Sequence, residues 1–199
     1  MKTDLRVLKT KENIHSHFIA LLGSYSFSDI TIKLLISECK INRSTFYRNY
    51  NDKYDLLNEI SNELLEKYKK TIYPEIVSIE PKISQNIKNY IIPLVDFFDK
   101  NKDILIPLSK NNTPTRLFDD MFEVMVSAFV EKIRESFRIR EDSKEIAFYF
   151  ANLISSNILT TMKWWNVSSP ETSKEKIIDI IDTCLTKGVF CSVKDFLIE

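Results

Sequence analysis

Residues 27–57 read FSDITIKLLISECKINRSTFYRNYNDKYDLL. The spacing predicts two short helices that meet at a tight turn. Thr31 is the N-cap of the first, where its hydroxyl can satisfy an orphan amide of the opening turn. Ile32, Leu35 and Ile36 then fall on one inward face, and the helix reaches about Cys39. Lys40 and Ile41 make the connection. Asn42 is placed to cap a second, short helix over 43–49. Asn51 is expected to cap a longer helix from Asp52 to about Ile72, with Leu56, Leu57, Ile60, Leu64 and Leu65 on its apolar side.

Two short helices across a tight turn, the second opening on a basic residue and small polar ones, form the build of a helix-turn-helix. In that motif the second helix lies in the major groove of duplex DNA. Ser44 and Thr45 are small enough for close approach. Arg43 and Arg48 supply long donors for guanine edges or phosphates. Ile41 and Phe46 are expected to pack the turn and the recognition helix onto their neighbours.

Outward from this stretch the pattern stays helical. Ile14, Phe18, Ile19, Leu21 and Leu22 give one face of a helix over 11–22, which Gly23 and Ser24 end. Phe27, in the linker, reads as a core plug. Downstream, apolar positions recur at helical spacing over 82–100, with Pro93 expected to kink that helix. A short helix is predicted over 103–110. Thr113-Pro114 and Ser169-Pro170 both read as a cap followed by proline at the first helical position. They place helices over 114–137 and from 170 to Lys187, with another over 143–165 between them. Gly188 is suited to cap the last. The tail from 189 to 199 reads as short helix or irregular chain. Only two glycines occur in 199 residues, and hairpin-rich folds consume glycine in their turns. The fold class is therefore all-α: an N-terminal three-helix helix-turn-helix domain plus a C-terminal helical domain, about nine helices.

Charge adds direction. Net charge is zero, but residues 1–54 carry an excess of four basic side chains and the rest an equal acidic excess, a basic head on an acidic body. The three cysteines, Cys39, Cys184 and Cys191, match no metal spacing and read as reduced thiols of a cytoplasmic protein. No apolar run suits a membrane span. His15 and His17 lie two apart on one helix and cannot chelate one ion. No nucleophile motif or phosphate loop is present, so an enzyme, a catalytic site, a metal and a cofactor are not expected.

Phe27, Ile30-Thr31-Ile32, Thr45-Phe46-Tyr47, Tyr50, Lys53 and Leu56-Leu57 together resemble the DNA-binding region of the TetR/AcrR family of bacterial regulators. Lys40 departs from that pattern, since the family usually has glycine in the turn, and Asn42 replaces serine or threonine. A lysine at positive φ costs about 1 kcal/mol or more. The resemblance implies roles. Thr31 would meet a phosphate at the start of the second helix. Arg43, Ser44, Thr45 and Arg48 would make base and phosphate contacts. The Tyr47 hydroxyl would reach a phosphate, and Lys53 would clamp the DNA backbone.

The resemblance also implies a domain division: a DNA-binding domain over 1–53, a connecting helix over 52–72, and a ligand-binding and dimerisation domain over 74–199. Tyr90, Phe97, Phe98, Phe118, Phe122 and Met125 are its pocket candidates. The last two long helices would pair with those of a second copy. Ala147, Ala151, Ser155 and Ile158 form a small-residue stripe for that contact, facing Ile177, Ile181 and Cys184. The expected partners are double-stranded operator DNA, a second copy, and a small-molecule effector, with no membrane. The expected function is a ligand-responsive repressor acting as a homodimer. An alternative stays open: the region around Trp164-Trp165 resembles a subgroup that regulates dihydroxyacetone kinase genes, so the C-terminal domain would bind a partner protein instead.

Overall fold

The computed structural model describes residues 5–77, 87–109, 113–136 and 144–189. Among these residues there are nine helices and no strand: α1 (Leu5–Ser24), α2 (Ile32–Glu38), α3 (Arg43–Asn49), α4 (Lys53–Val77), α5 (Ile87–Lys100), α6 (Lys102–Ser109), α7 (Leu117–Ser136), α8 (Lys144–Ser168) and α9 (Lys174–Thr186). The predicted start at 82 and the tail beyond 189 lie outside the described residues. Among the described residues no helix is long and apolar enough to cross a membrane.

The chain forms two compact units. One gathers residues 1–64 with Lys102–Leu117, and the other Leu65–Asn101 with Phe118–Glu199. The division falls inside α4 and returns α6 to the N-terminal helices. A boundary at 53 and 74 would put α6 in the other unit. Its apolar side explains the placement: Leu105, Pro107 and Leu108 are buried, and α6 packs on α1.

In the first unit Ile14, Phe18 and Leu22 of α1 are fully buried, together with Ile30, Leu35, Phe46, Leu56 and Leu57. Each such side chain contributes roughly 1.5–3 kcal/mol relative to exposure. Phe27 is the plug expected of it, buried and edge-on to both Phe18 and Tyr54. In the second unit α5 packs on α8 and α9, and α8 packs on α9. The Trp165 indole donates to the Thr172 carbonyl (2.8 Å), tying the α8–α9 turn back to α8.

Three helix starts differ from the sequence reading. Asp52, not Asn51, caps α4: its Oδ1 accepts from the amides of Tyr54 and Asp55, both at 2.8 Å. Asn51 instead donates through its amide and its Nδ2 to Asp55 Oδ2. The helix then runs through Pro74 to Val77. α7 begins at Leu117, whose amide donates to Thr115 Oγ1. Thr113 and Pro114 precede it in non-helical chain. α9 begins at Lys174 with Ser173 as its cap. Pro170 sits in a turn closed from the Thr172 amide to the Ser169 carbonyl (3.0 Å). Proline's fixed φ serves a turn's second residue as well as a helix's first. Gly188 follows the α9 C-cap at φ +88°, as expected.

Candidate nucleic-acid interface

The turn between α2 and α3 is built from backbone bonds. The Ile41 amide donates to the Ile36 carbonyl (3.1 Å) and the Lys40 amide to the Ser37 carbonyl (3.2 Å). This pair of bonds is a Schellman closure with Lys40 at its left-handed position. Lys40 has φ +52°, the conformation expected from its place in the sequence. From α1, Asn13 Nδ2 donates to the Cys39 carbonyl (2.9 Å) and holds the end of α2. At the other end Thr31 Oγ1 accepts from the Leu34 amide, the predicted cap.

Asn42 occupies the N-cap position of α3 but makes no side-chain cap. Its carbonyl accepts from the Thr45 and Phe46 amides. Its side chain is exposed.

Arg43, Ser44, Tyr47 and Arg48 of α3 are all exposed, and Phe46 is buried on the other side. At 3.6 residues per turn these four span an arc of about 140°. Thr45 is half-buried at its margin, and its carbonyl accepts from Asn49 Nδ2. The Arg43 guanidinium stacks over the Tyr47 ring, 5.5 Å from its centroid. Their polar ends meet at 3.5 Å. Behind the arc, Phe46 packs edge-on against Tyr47 and tilted against Tyr50. This is a polar face of a short helix with an aromatic backing.

Lys53, the first residue of α4, is held by the loop ahead of α2. Its Nζ donates to the carbonyls of Phe27 (2.6 Å), Ile30 (2.8 Å) and Ser28 (3.2 Å). An ammonium has three donors, and all three are engaged within the protein.

A network that the sequence did not disclose lies behind α3. Tyr50 Oη donates to Glu59 Oε1 (2.7 Å), Lys11 Nζ donates to Glu59 Oε2 (2.6 Å), and His15 Nε2 lies 2.9 Å from Tyr50 Oη. It joins α1, the end of α3 and α4. Burial opposes ionisation of Glu59. The hydrogen bonds from Lys11 and Tyr50, with the charges of Lys11 and His15, outweigh it and hold the carboxyl below its usual pKa. Burial, then the Glu59 hydrogen bond and nearby carboxylate charges, pushes the Tyr50 hydroxyl far up. His15, Glu59 and Glu63 bring ligand atoms within 4.8 Å of one another, a grouping able to hold a metal ion. Both Glu59 oxygens, however, already accept protein hydrogen bonds. In the sequence His15 stands out only beside His17. Its partners come from residues 35 to 48 positions away, a separation no local motif reveals.

In the second unit the expected pocket residues fall mainly in the core. Phe97 and Phe98 are buried edge-on against Tyr68. Met125 is buried, Phe118 and Phe122 are half-buried, and the Tyr90 side chain lies outside the described residues. Two open clefts are lined by other residues. One of about 630 Å³ is bounded by Val126, Ser127, Val130, Glu131, Arg134 and Phe148. The other, about 590 Å³, is bounded by Leu65, Lys69, Asp120, Glu123, Val124 and Ser127.

The small-residue stripe is also turned inward. Ala147, Ala151, Ser155 and Ile158 are buried within the protomer, as are Ile177 and Ile181 of α9. Cys184 is half-buried. Small side chains permit close helix approach, and within the protomer α8 packs on α9 and on α5. The opposite side of α8 exposes Ile146, Tyr149, Phe150, Leu153 and Trp164.

Residues 85–187 match the family profile described as "Transcriptional regulator C-terminal region" of TetR type, more than half of the chain. The chain belongs to the TetR family of transcriptional regulators. No curated protein matches it by sequence. A TetR transcriptional regulator from Streptococcus agalactiae 2603V is similar in fold, with a TM-score of 0.61 and 23% identity over 92% of this chain and 96% of that one. A Clostridium perfringens regulator assigned to fatty acid metabolism gives 0.66 and 15%, over 89% and 98%. Thermus thermophilus FadR, a TetR-family repressor solved with lauroyl-CoA, gives 0.54 and 17%, over 90% and 94%. The all-α fold with an N-terminal helix-turn-helix unit is thus that of TetR regulators, and this family member is a DNA-binding transcription regulator.

Proposed function

We propose that the protein is a ligand-responsive repressor that binds operator DNA as a homodimer. The exposed polar arc of α3 over its buried aromatic backing carries this reading. In it, Arg43, Ser44, Thr45 and Arg48 face base edges and phosphates. Tyr47 and Thr31 reach the DNA backbone, which sets register without reading sequence. A dimer places two such helices in successive major grooves, about 34–36 Å apart. The exposed apolar side of α8, not the small-residue stripe, supports the dimer contact. The 630 Å³ cleft supports the effector. Its size suits a small molecule, and Val126, Val130 and Phe148 beside Arg134 suit an apolar tail with a polar head. The acyl ligand of the FadR neighbour is of that class. An effector that binds one arrangement of the dimer better than another shifts its DNA affinity.

Selection of bound duplexes from a random library by the full-length protein tests this. Enrichment of a two-fold symmetric site, with affinity falling steeply as salt rises, is expected. Binding with neither symmetry nor salt dependence would refute it.

A further inference from the structure

We infer that His15, Glu59 and Glu63 form a site for one divalent transition-metal ion of zinc-like chemistry, joining α1 to α4 where α3 ends. The residues come from two helices. Glu59 and Glu63 lie four apart and so share one face of α4, and His15 meets them from α1. One ligand atom from each lies within 4.8 Å of the other two. The imidazole stands between the carboxylates: Nε2 is 3.1 Å from Glu59 Oε1, and Nδ1 is 3.9 Å from Glu63 Oε2. The second gap is too long for a hydrogen bond. It suits two bonds of about 2.0–2.2 Å meeting at an ion.

The neighbouring contacts are those of an outer shell. Glu59 accepts from Lys11 at Oε2 and from Tyr50 at Oε1, where His15 Nε2 also reaches. A carboxylate has about four acceptor sites, so these contacts leave one for an ion. Ligating carboxylates are ordinarily held by such bonds, and here the bonds keep Glu59 ionised. With Nδ1 as the ligand nitrogen, Nε2 keeps its hydrogen for Glu59 or Tyr50, the outer contact that metal-bound histidines usually make. Two carboxylates against one ammonium leave a net negative charge once the imidazole is neutral, as a ligand must be. The imidazole also selects the ion. Magnesium and calcium take oxygen ligands, whereas zinc takes nitrogen and oxygen and accepts three protein ligands with water in the fourth place. The Glu63 side chain is 55% exposed, so that place is open to solvent. Tyr50, the C-cap of α3, sets its hydroxyl on the same Glu59 oxygen. An ion here therefore fixes α1 against α4 beside the mooring of α3.

Zinc chloride titrated calorimetrically into the full-length protein should show saturable uptake of one ion per chain. The same addition should raise Tm, because an ion held only by the folded chain stabilises it. Glu63→Gln removes one ligand at a half-exposed position, and His15→Gln removes the nitrogen. Each should weaken zinc binding at least tenfold and abolish the rise in Tm. His17→Gln, two residues along α1, should change neither, and magnesium chloride should leave Tm where it was. Absence of saturable zinc uptake by the wild-type protein would overturn the inference. So would undiminished zinc affinity in Glu63→Gln or His15→Gln, a magnesium response equal to that of zinc, or loss of binding in His17→Gln, which would place the ion elsewhere. None of these outcomes depends on the DNA-binding reading of α3.

Discussion

α3 and α8 are built the opposite way round. α3 hides its bulky Phe46 and shows Ser44 with two arginines. α8 hides Ala147, Ala151 and Ser155 and shows Tyr149, Phe150 and Leu153. A surface that meets a hydrated polyanion needs donors on a thin edge, because bulk would keep the backbone from the groove. A surface that meets another apolar surface needs area, which aromatic and branched side chains supply. The two exposed faces therefore suit different partners, nucleic acid at one and a second protein copy at the other.

The contrast breaks most sharply at α8. Phe150 is 50% exposed while the adjacent Ala151 is fully buried. Phe150→Glu should fold as a protomer yet lose the dimer. An unpaired charge buried in an apolar contact costs about 3–5 kcal/mol, roughly a hundredfold to a thousandfold or more in association. Sedimentation equilibrium checks this, and a variant that stays dimeric would move the contact elsewhere. Ala151→Glu should instead unfold the second unit, since its charge would lie inside the protomer.

At α3 the expected effect is smaller and selective. Arg43→Ala removes one donor set and releases Tyr47 from its stacked guanidinium. It should cost about 1–3 kcal/mol on the preferred duplex and relax preference at one base position. Repeating the library selection with the variant reads this directly. An unaltered sequence preference would assign Arg43 to phosphate.

The backing of α3 should respond to pH. Glu59 has its pKa held below the ordinary value. Its contribution to stability is therefore complete above the unfolded carboxylate range and is lost as pH falls through the lower folded value. Glu59→Gln should be less stable than wild type at neutral pH by about 1–2 kcal/mol. Thermal unfolding across the acid range should show that gap closing. A gap that is constant with pH would mean that Lys11 and Tyr50 gain nothing from the carboxylate's charge.

The same two helices show what can be read without coordinates. The α2–α3 region was legible because its signals are local. A cap, a turn residue and an apolar triplet act within one or two helical turns, so Thr31, Lys40 and Phe46 fell where their chemistry placed them. α8 was legible as a helix but not in its orientation. A stripe of small residues permits close approach whether the neighbour is a helix of the same chain or of a second copy, and nothing in the stripe distinguishes them. The Ser-Pro pair at 169–170 failed similarly, since one φ serves both a turn and a helix start. Lys53 was legible as a cation at the start of α4, but its three carbonyl partners were not, because they lie 23 to 26 positions away in the chain.

The smallest effect lies at the turn itself. Lys40 holds φ +52°, where an L side chain crowds the following carbonyl at a cost of about 1–2 kcal/mol. Glycine removes that strain but gains freedom in the unfolded chain, which offsets part of the benefit. Lys40→Gly should therefore stabilise the protein by about 0.5–1 kcal/mol. For a domain of 150–250 residues, 1 kcal/mol corresponds to roughly 2–4 °C in Tm. The side chain is exposed, so little is lost with it. A lower Tm would show that Lys40 does something in the folded state that outweighs its strain. Unchanged duplex affinity alongside a higher Tm would place Lys40 off the DNA surface and leave the α3 arc as the face that reads it.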